Sequence, residues 1–234
     1  VGAGFPENGN RGRGLMPSRR AVVALLLGLV SPAWSLTEPG SHILNIGMGG
    51  GVPLMDIDLA TAGGGRERLG SSGLAAGAQY LYQATPAIGI GLDLAGVRFS
   101  DHEHILAQSI AASGGSLFTA QPIVRILLLP ESRATPFILG GAGLSYFNAN
   151  MEARPKPGFA WSDTRTTEVR RLIDKGAAGY AVTLGGGLEG RIGETGLLGV
   201  EGRWTYASID RETFGTKGAR TATVFARLGW VFGS

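Results

Sequence analysis

Ala222-Thr223-Val224-Phe225-Ala226-Arg227-Leu228-Gly229-Trp230-Val231-Phe232 closes the chain and decides its fold. The even positions (Ala222, Val224, Ala226, Leu228, Trp230, Phe232) are all apolar, and Thr223, Arg227 and Gly229 alternate with them. A period of two with one apolar face is the mark of a β-strand bordered on one side by an apolar medium. A last strand of this kind can pair with the first and leave no open edge in lipid.

Seven earlier segments alternate in the same way. They are His42 to Val52, Ser72 to Gln83, Ile88 to Phe99, Leu117 to Leu128, Pro136 to Phe147, Ala178 to Ile192 and Leu197 to Ala207. Leu44, Ile46 and Met48 oppose Asn45; Tyr80 and Tyr82 oppose Gln79 and Gln83; Leu92 and Leu94 oppose Asp93. The third segment is expected to change phase at Gly96 through a bulge, and Pro122 to remove a ladder bond in the fourth. The glycine-rich fifth segment, 136–147, leaves its parity open. Connections near 84–87, 129–135 and 193–196 are short, whereas 53–70, 100–115, 148–176 and 209–217 are long. Within the longest, Thr166 to Lys175 is expected to form a short helix stopped by Gly176. Short and long connections in alternation, with an even strand number, predict an all-β, eight-stranded antiparallel up-and-down transmembrane β-barrel.

Composition narrows the function. The chain of 234 residues has no cysteine, which removes disulfide and thiol chemistry, and its 40 glycines follow no collagen period. The formal charge of +3 comes from Arg11, Arg13, Arg19 and Arg20 against Glu7, so everything after residue 35 is neutral. A nucleic-acid partner would need a basic face on the folded part, and none is expected. Residues 1–15 are aperiodic and read as an upstream extension before Met16. Residues 16–35 read as a secretory signal peptide: Arg19-Arg20, then an apolar run over 21–30 too short to span a bilayer, then small residues ahead of Leu36. The barrel occupies 36–234.

Three constellations carry candidate chemistry. On the lumen face, Asp93, Glu189 and Glu201 meet Arg125, Arg191, Arg203 and Arg227, in a barrel just wide enough for side chains. Confined charges must pair or be hydrated, so this set reads as an ion-pair lattice filling the lumen, or as a path for protons or small ions. Asp101-His102-Glu103-His104 offers two imidazoles on one side of an extended segment but too few ligands for zinc, so no metal or cofactor is expected. The long loop 148–176 carries Arg154, Lys156, Arg165, Arg170 and Arg171, candidate contacts for the phosphates of outer-leaflet lipid. Ser100 lies close to His102 in sequence, but no activated nucleophile is visible and the chain is not read as an enzyme.

Pro136-Phe137-Ile138-Leu139-Gly140-Gly141-Ala142-Gly143, Leu184-Gly185-Gly186-Gly187-Leu188-Glu189, Gly202-Arg203-Trp204-Thr205-Tyr206 and the terminal Trp230-Val231-Phe232 resemble small eight-stranded outer-membrane barrels of the OmpW and OmpA-like, opacity-type families. The chain departs from them in carrying Gly233-Ser234 after the aromatic residue. The resemblance implies a monomer in the bacterial outer membrane, delivered by the barrel-assembly machinery through Leu228, Trp230 and Phe232. It also implies a small hydrophobic solute as a partner, although no apolar funnel for one is evident in the sequence. Three roles stay open: a structural or narrow-permeation barrel, a surface adhesin or lipid-binding barrel working through 148–176, and a lipid-modifying enzyme.

Overall fold

The computed structural model describes residues 38–58, 66–68, 70–209 and 218–233. The upstream extension, the signal peptide and nearly all of the 209–217 connection lie outside the described residues. Among the described residues ten strands follow in order: β1 (His42–Pro53), β2 (Asp56–Asp58), β3 (Arg66–Arg68), β4 (Gly73–Gln83), β5 (Ile88–Ile105), β6 (Ser109–Leu127), β7 (Ala134–Pro155), β8 (Arg170–Ile192), β9 (Gly196–Ser208) and β10 (Gly218–Phe232). Eight of them close a ring in the order β1-β10-β9-β8-β7-β6-β5-β4, every pair antiparallel. β2 and β3 form a separate two-stranded ribbon in the β1–β4 connection.

The closing seam runs from His42 opposite Phe232 to Pro53 opposite Thr221. Following paired residues around the ring from Ile88 leads through Ile126, Ile138, Gly186, Gly202, Val224, Gly50 and Leu74 to Arg98. The path returns to β5 ten residues further along, and that stagger in eight strands fixes a tilt of about 40°. Each residue then rises about 2.5 Å along the barrel axis, and each step to a neighbouring strand changes height by about 3 Å.

Alternation sorts the side chains as the pleat requires. Leu44, Ile46, Leu92, Leu94, Val124, Leu184, Val200, Val224 and Leu228 are exposed on the outside, forming an apolar belt. Asn45, Gln79, Asp93, Gln121, Arg125, Glu201 and Arg227 are buried inside. Two aromatic levels bound the belt. On the side of the short turns His42 stacks on Tyr80 and Phe232, and its Nδ1 lies 2.6 Å from the Tyr80 hydroxyl. Roughly 25 Å above Trp230, Phe118, Tyr146, Tyr180 and Tyr206 ring the other side, close to the height expected of an outer-membrane apolar band. The protein is a transmembrane barrel of the outer-membrane type, with the short turns on its periplasmic side.

The fifth segment takes odd-inward parity: Phe137 and Leu139 are buried, Ile138 and Leu144 exposed. Pro122 faces lipid, and the β6–β7 pairing is interrupted between Ala120–Leu144 and Ile123–Gly141. Three expectations are corrected. β5 keeps its phase through Gly96, with Val97 and Phe99 both buried inside, and its irregularity falls between Phe99 and His102. Residues 100–115 are not a loop, because β5 and β6 continue through them and leave only 106–108 as a turn. Thr166 to Lys175 is not a helix: from Arg170 onward the chain is strand β8, paired to β7. An apolar inner face at Met151 rewards extended pairing with Ile173, which a short helix could not provide.

Candidate functional site

The inner half of the lumen is charged. Arg203, from β9, crosses to β5 and donates two hydrogen bonds to Asp93, Nη1 to Oδ2 and Nη2 to Oδ1, each at 2.7 Å. Its Nε donates to Glu201, two residues along the same strand and on the same face. Glu201 also receives Nη2 of Arg227 at 3.1 Å. Arg227 Nε is 2.8 Å from the other Glu201 oxygen, off the line of a hydrogen bond, so that contact is chiefly one of charge. A separate pair, Arg125 with Glu189 at 2.8 Å, joins β6 to β8. Three carboxylates thus face three guanidinium groups, and the charges cancel inside the barrel. Gln121 donates to Thr183 at 2.8 Å, and Thr183 meets Thr205 at 3.1 Å.

Apolar side chains close this chamber on both sides. Ile43, Leu81, Ile123, Leu127, Phe137, Leu139 and Leu197 cluster around the Arg125–Glu189 pair toward the periplasm, with the Arg125 guanidinium over the Phe137 ring. Toward the outside, the Arg203 and Arg227 guanidinium groups both stack on the Phe225 ring, which packs with Val97, Phe99, Leu117, Phe147, Met151, Met55 and Ile209. Between the charges and this outer cluster is a cavity of about 20 Å³, lined among others by Arg203, Thr205, Thr221 and Thr223. That is room for about one water. The amides of Asn45 and Gln79 are buried without a protein partner, as are Nε and Nη2 of Arg125, and polar groups so placed are satisfied by ordered water.

Four strands do not stop at the outer aromatic level. β5 runs seven residues past Arg98, β7 nine past Tyr146, β6 begins nine before Phe118 and β8 ten before Tyr180. β9 and β10, by contrast, extend only two residues past Tyr206 and Arg220. The result is a four-stranded sheet standing about 20 Å above one side of the rim. The irregularity after Phe99 brings His102 and His104 onto its inner face opposite Ser113 and Ala111. Their rings meet edge to face at 4.8 Å, and His104 Nε2 is 2.9 Å from the Ser113 hydroxyl. Ser113 is fully buried, so a lipid ester has no access to that hydroxyl. No group of three or more metal-ligating side chains occurs among the described residues.

The outer face of the sheet is laced by ion pairs: Arg154 with Glu103 at 3.5 Å, and Arg171 with Glu152 at 3.4 Å and Asp174 at 2.8 Å. The two tips are joined, since Lys156 donates from its backbone to Gln108 and from Nζ to Ala107. In the β7–β8 connection Arg170 grips Asp163 with two hydrogen bonds of 2.8 and 2.7 Å and covers the Trp161 ring at 4.7 Å. The Arg170 hydrogen bonds hold the Asp163 carboxyl below the usual carboxylate range.

The structure brings together Asp93, Glu201, Arg203 and Arg227, and separately Arg125 and Glu189. It does not bring Arg191 to them. That side chain lies at the periplasmic turn, where Nε donates to the Glu194 carbonyl at 2.9 Å. Parity assigns Arg191 a face but not a depth, and it falls past the end of the lumen. Arg154, Lys156, Arg165, Arg170 and Arg171 stand on the sheet above the rim or in its β7–β8 connection. Arg154, Arg170 and Arg171 are engaged there by carboxylates. The Ser113–His104 pair was missed in sequence because the irregularity after Phe99 reverses the parity of everything beyond it. Arg98 and Arg220 were also missed: the phase change expected at Gly96 would have turned Arg98 inward, and Arg220 lies ahead of the strand read from Ala222, whereas both are exposed on the outer face.

No protein-family model matches the sequence, and no curated protein matches it. Among solved structures the backbone is similar to the attachment invasion locus protein Ail of Yersinia pestis, in complex with the heparin analogue sucrose octasulfate. Identity is 13%, the TM-score 0.49, and the match covers 83% of this chain and 99% of that one. It is also similar to neisserial surface protein A, at 12% identity and a TM-score of 0.49, covering 82% and 97%. A third likeness is to the outer membrane protein OprG from Pseudomonas aeruginosa, at 17% identity and a TM-score of 0.45, covering 84% and 98%. These likenesses concern the path of the chain through the barrel.

Proposed function

We propose that this protein is a non-conducting outer-membrane barrel that serves as the foot of an extracellular binding surface, the sheet built from the outer parts of β5 to β8. The observation that carries this reading is the overhang of those four strands above a lumen packed with side chains. Extending a sheet about 20 Å into water orders 35 strand residues, at about 1–2 kcal/mol of backbone entropy each, without deepening the anchorage in lipid. The stem alone would hold the protein in the membrane, so a role at the surface accounts for the overhang. Exposed Ile105 at one tip, with Phe159 and Val169 in the β7–β8 connection, offers apolar contact points to a partner.

Narrow permeation is the second reading, favoured by the unpartnered amides of Asn45 and Gln79 facing the lumen. The two readings separate in one experiment. The full barrel, and a version with 101–113 and 150–174 replaced by short turns, are displayed on a non-adherent bacterium and also incorporated into planar bilayers. The expected result is adherence to epithelial monolayers by the full barrel alone, with no single-channel steps from either. Discrete conductance together with unchanged adherence would overturn the proposal in favour of permeation.

A further inference from the structure

We infer that the outer rim of the barrel binds a lipid carrying two phosphates, held by Arg98 and Arg220 with its acyl chains on the apolar strip between them. Both arginines sit on the lipid-facing side of their strands and are exposed. Arg98 pairs with Leu74 and Ser116, and Arg220 with Tyr206. Following the register from Arg98 through Leu74 and Gly50 to Val224, then four residues up β10, brings Arg220 to the same height within about 1 Å. That height is the level of the outer aromatic ring, where the hydrocarbon ends and lipid phosphates begin.

None of the ion pairs among the described residues involves either side chain. The arginines of the sheet above, in contrast, are engaged by Glu103, Asp163, Glu152 and Asp174. An outward cation at this level is tolerable only close to an anion or to water, and guanidinium matches phosphate with two parallel hydrogen bonds. Arg98 and Arg220 are three strands apart, about 19 Å along the outer wall. Between them the outward residues are apolar and unusually open: Leu74 is 81% exposed, with Val52 and Leu54 beside it. Two phosphate seats separated by an apolar strip suit a multiply acylated lipid with two phosphates, the chemistry of lipid A. A glycerophospholipid with one phosphate fills one seat only.

The test is native mass spectrometry of the whole folded protein, titrated with bisphosphorylated lipid A, its dephosphorylated form, and phosphatidylglycerol. Wild type is expected to retain the bisphosphorylated lipid about tenfold more tightly than either of the others, the scale of one net charged hydrogen-bond pair. Arg98→Gln with Arg220→Gln should abolish that preference. Arg98→Lys with Arg220→Lys should keep part of it, and Arg171→Gln, on the sheet above, should leave it whole. Compact migration of unheated protein on gels establishes that each variant is folded. If the glutamine pair fails to fold, the lysine pair and the three-lipid comparison on wild type decide. Equal retention of the three lipids by wild type, or an undiminished preference in the glutamine pair, would overturn the assignment. Neither result depends on what the extracellular sheet binds.

Discussion

Arg203 shows most sharply what a single side chain does in this barrel. Buried with Asp93 and Glu201, it neutralises one carboxylate fully and shares the other with Arg227. Breaking a buried pair by removing one partner costs about 3–5 kcal/mol, because a desolvated charge is left behind. Arg203→Leu is therefore expected to lose that much stability in urea titrations of vesicle-embedded protein. Adding Asp93→Leu should recover more than half of it, since Glu201 keeps Arg227. Outside the membrane, Asp163 gives a pH prediction. Its folded pKa lies below the ordinary value of about 3.9, so the Arg170 clamp contributes fully above that pH and is lost as pH falls through the lowered value. Trp161 emission, with Trp34, Trp204 and Trp230 replaced by phenylalanine, should be flat from pH 8 to 5 and change only at lower pH. Asp163→Asn should abolish the change. Which residues face inward was legible in most strands, because parity is written residue by residue, but not in the glycine-rich 136–147, where too few side chains mark a face. Which of them meet was not, since Arg203 and Asp93 are brought together by tilt and stagger across the lumen.

At the level of strands, alternation located all eight barrel segments; apart from the phase change expected at Gly96, the errors fell where a strand continues past the membrane. Beyond the belt the outward positions turn polar, as at Ser116, Asn148 and Glu152, and a strand with two polar-tolerant faces looks like a loop. The bulge after Phe99 has a use there. It kinks the extension of β5, which β4 no longer covers, and an irregular, charged edge resists pairing with other chains. Within the belt, two substitutions probe the geometry. A Cβ on Gly49 would overlap the Val224 carbonyl at the closing seam, so Gly49→Ala should cost about 1–3 kcal/mol and slow the appearance of the heat-modifiable form. Val224→Arg puts a cation on the lipid face and should cost about 2–4 kcal/mol in folding into bilayers, whereas Thr223→Ser, facing the small cavity, should cost well under 1. If the lumen-side change proved the more damaging, the assignment of inside and outside would have to be exchanged.

For the molecule as a whole, anchoring and display are divided between two parts with different physics. The stem is held by its belt and by a neutral, densely filled lumen; the sheet above is held by inter-strand pairing and ion pairs at the surface. Trimming 101–113 and 150–174 to turns should therefore leave the gel shift and urea midpoint of the stem within about 1 kcal/mol of wild type. Loss of the shift would show that the two parts fold as one. The seam between β1 and β10 has another consequence. His42 and Phe232 lie side by side, so a few linking residues could join them, and the cut could be moved to the turn at 84–87 without altering a single strand pairing. The order in which the ribosome writes the strands is thus not part of what defines the ring. Register and stagger are, and a circularly permuted gene should encode the same wall.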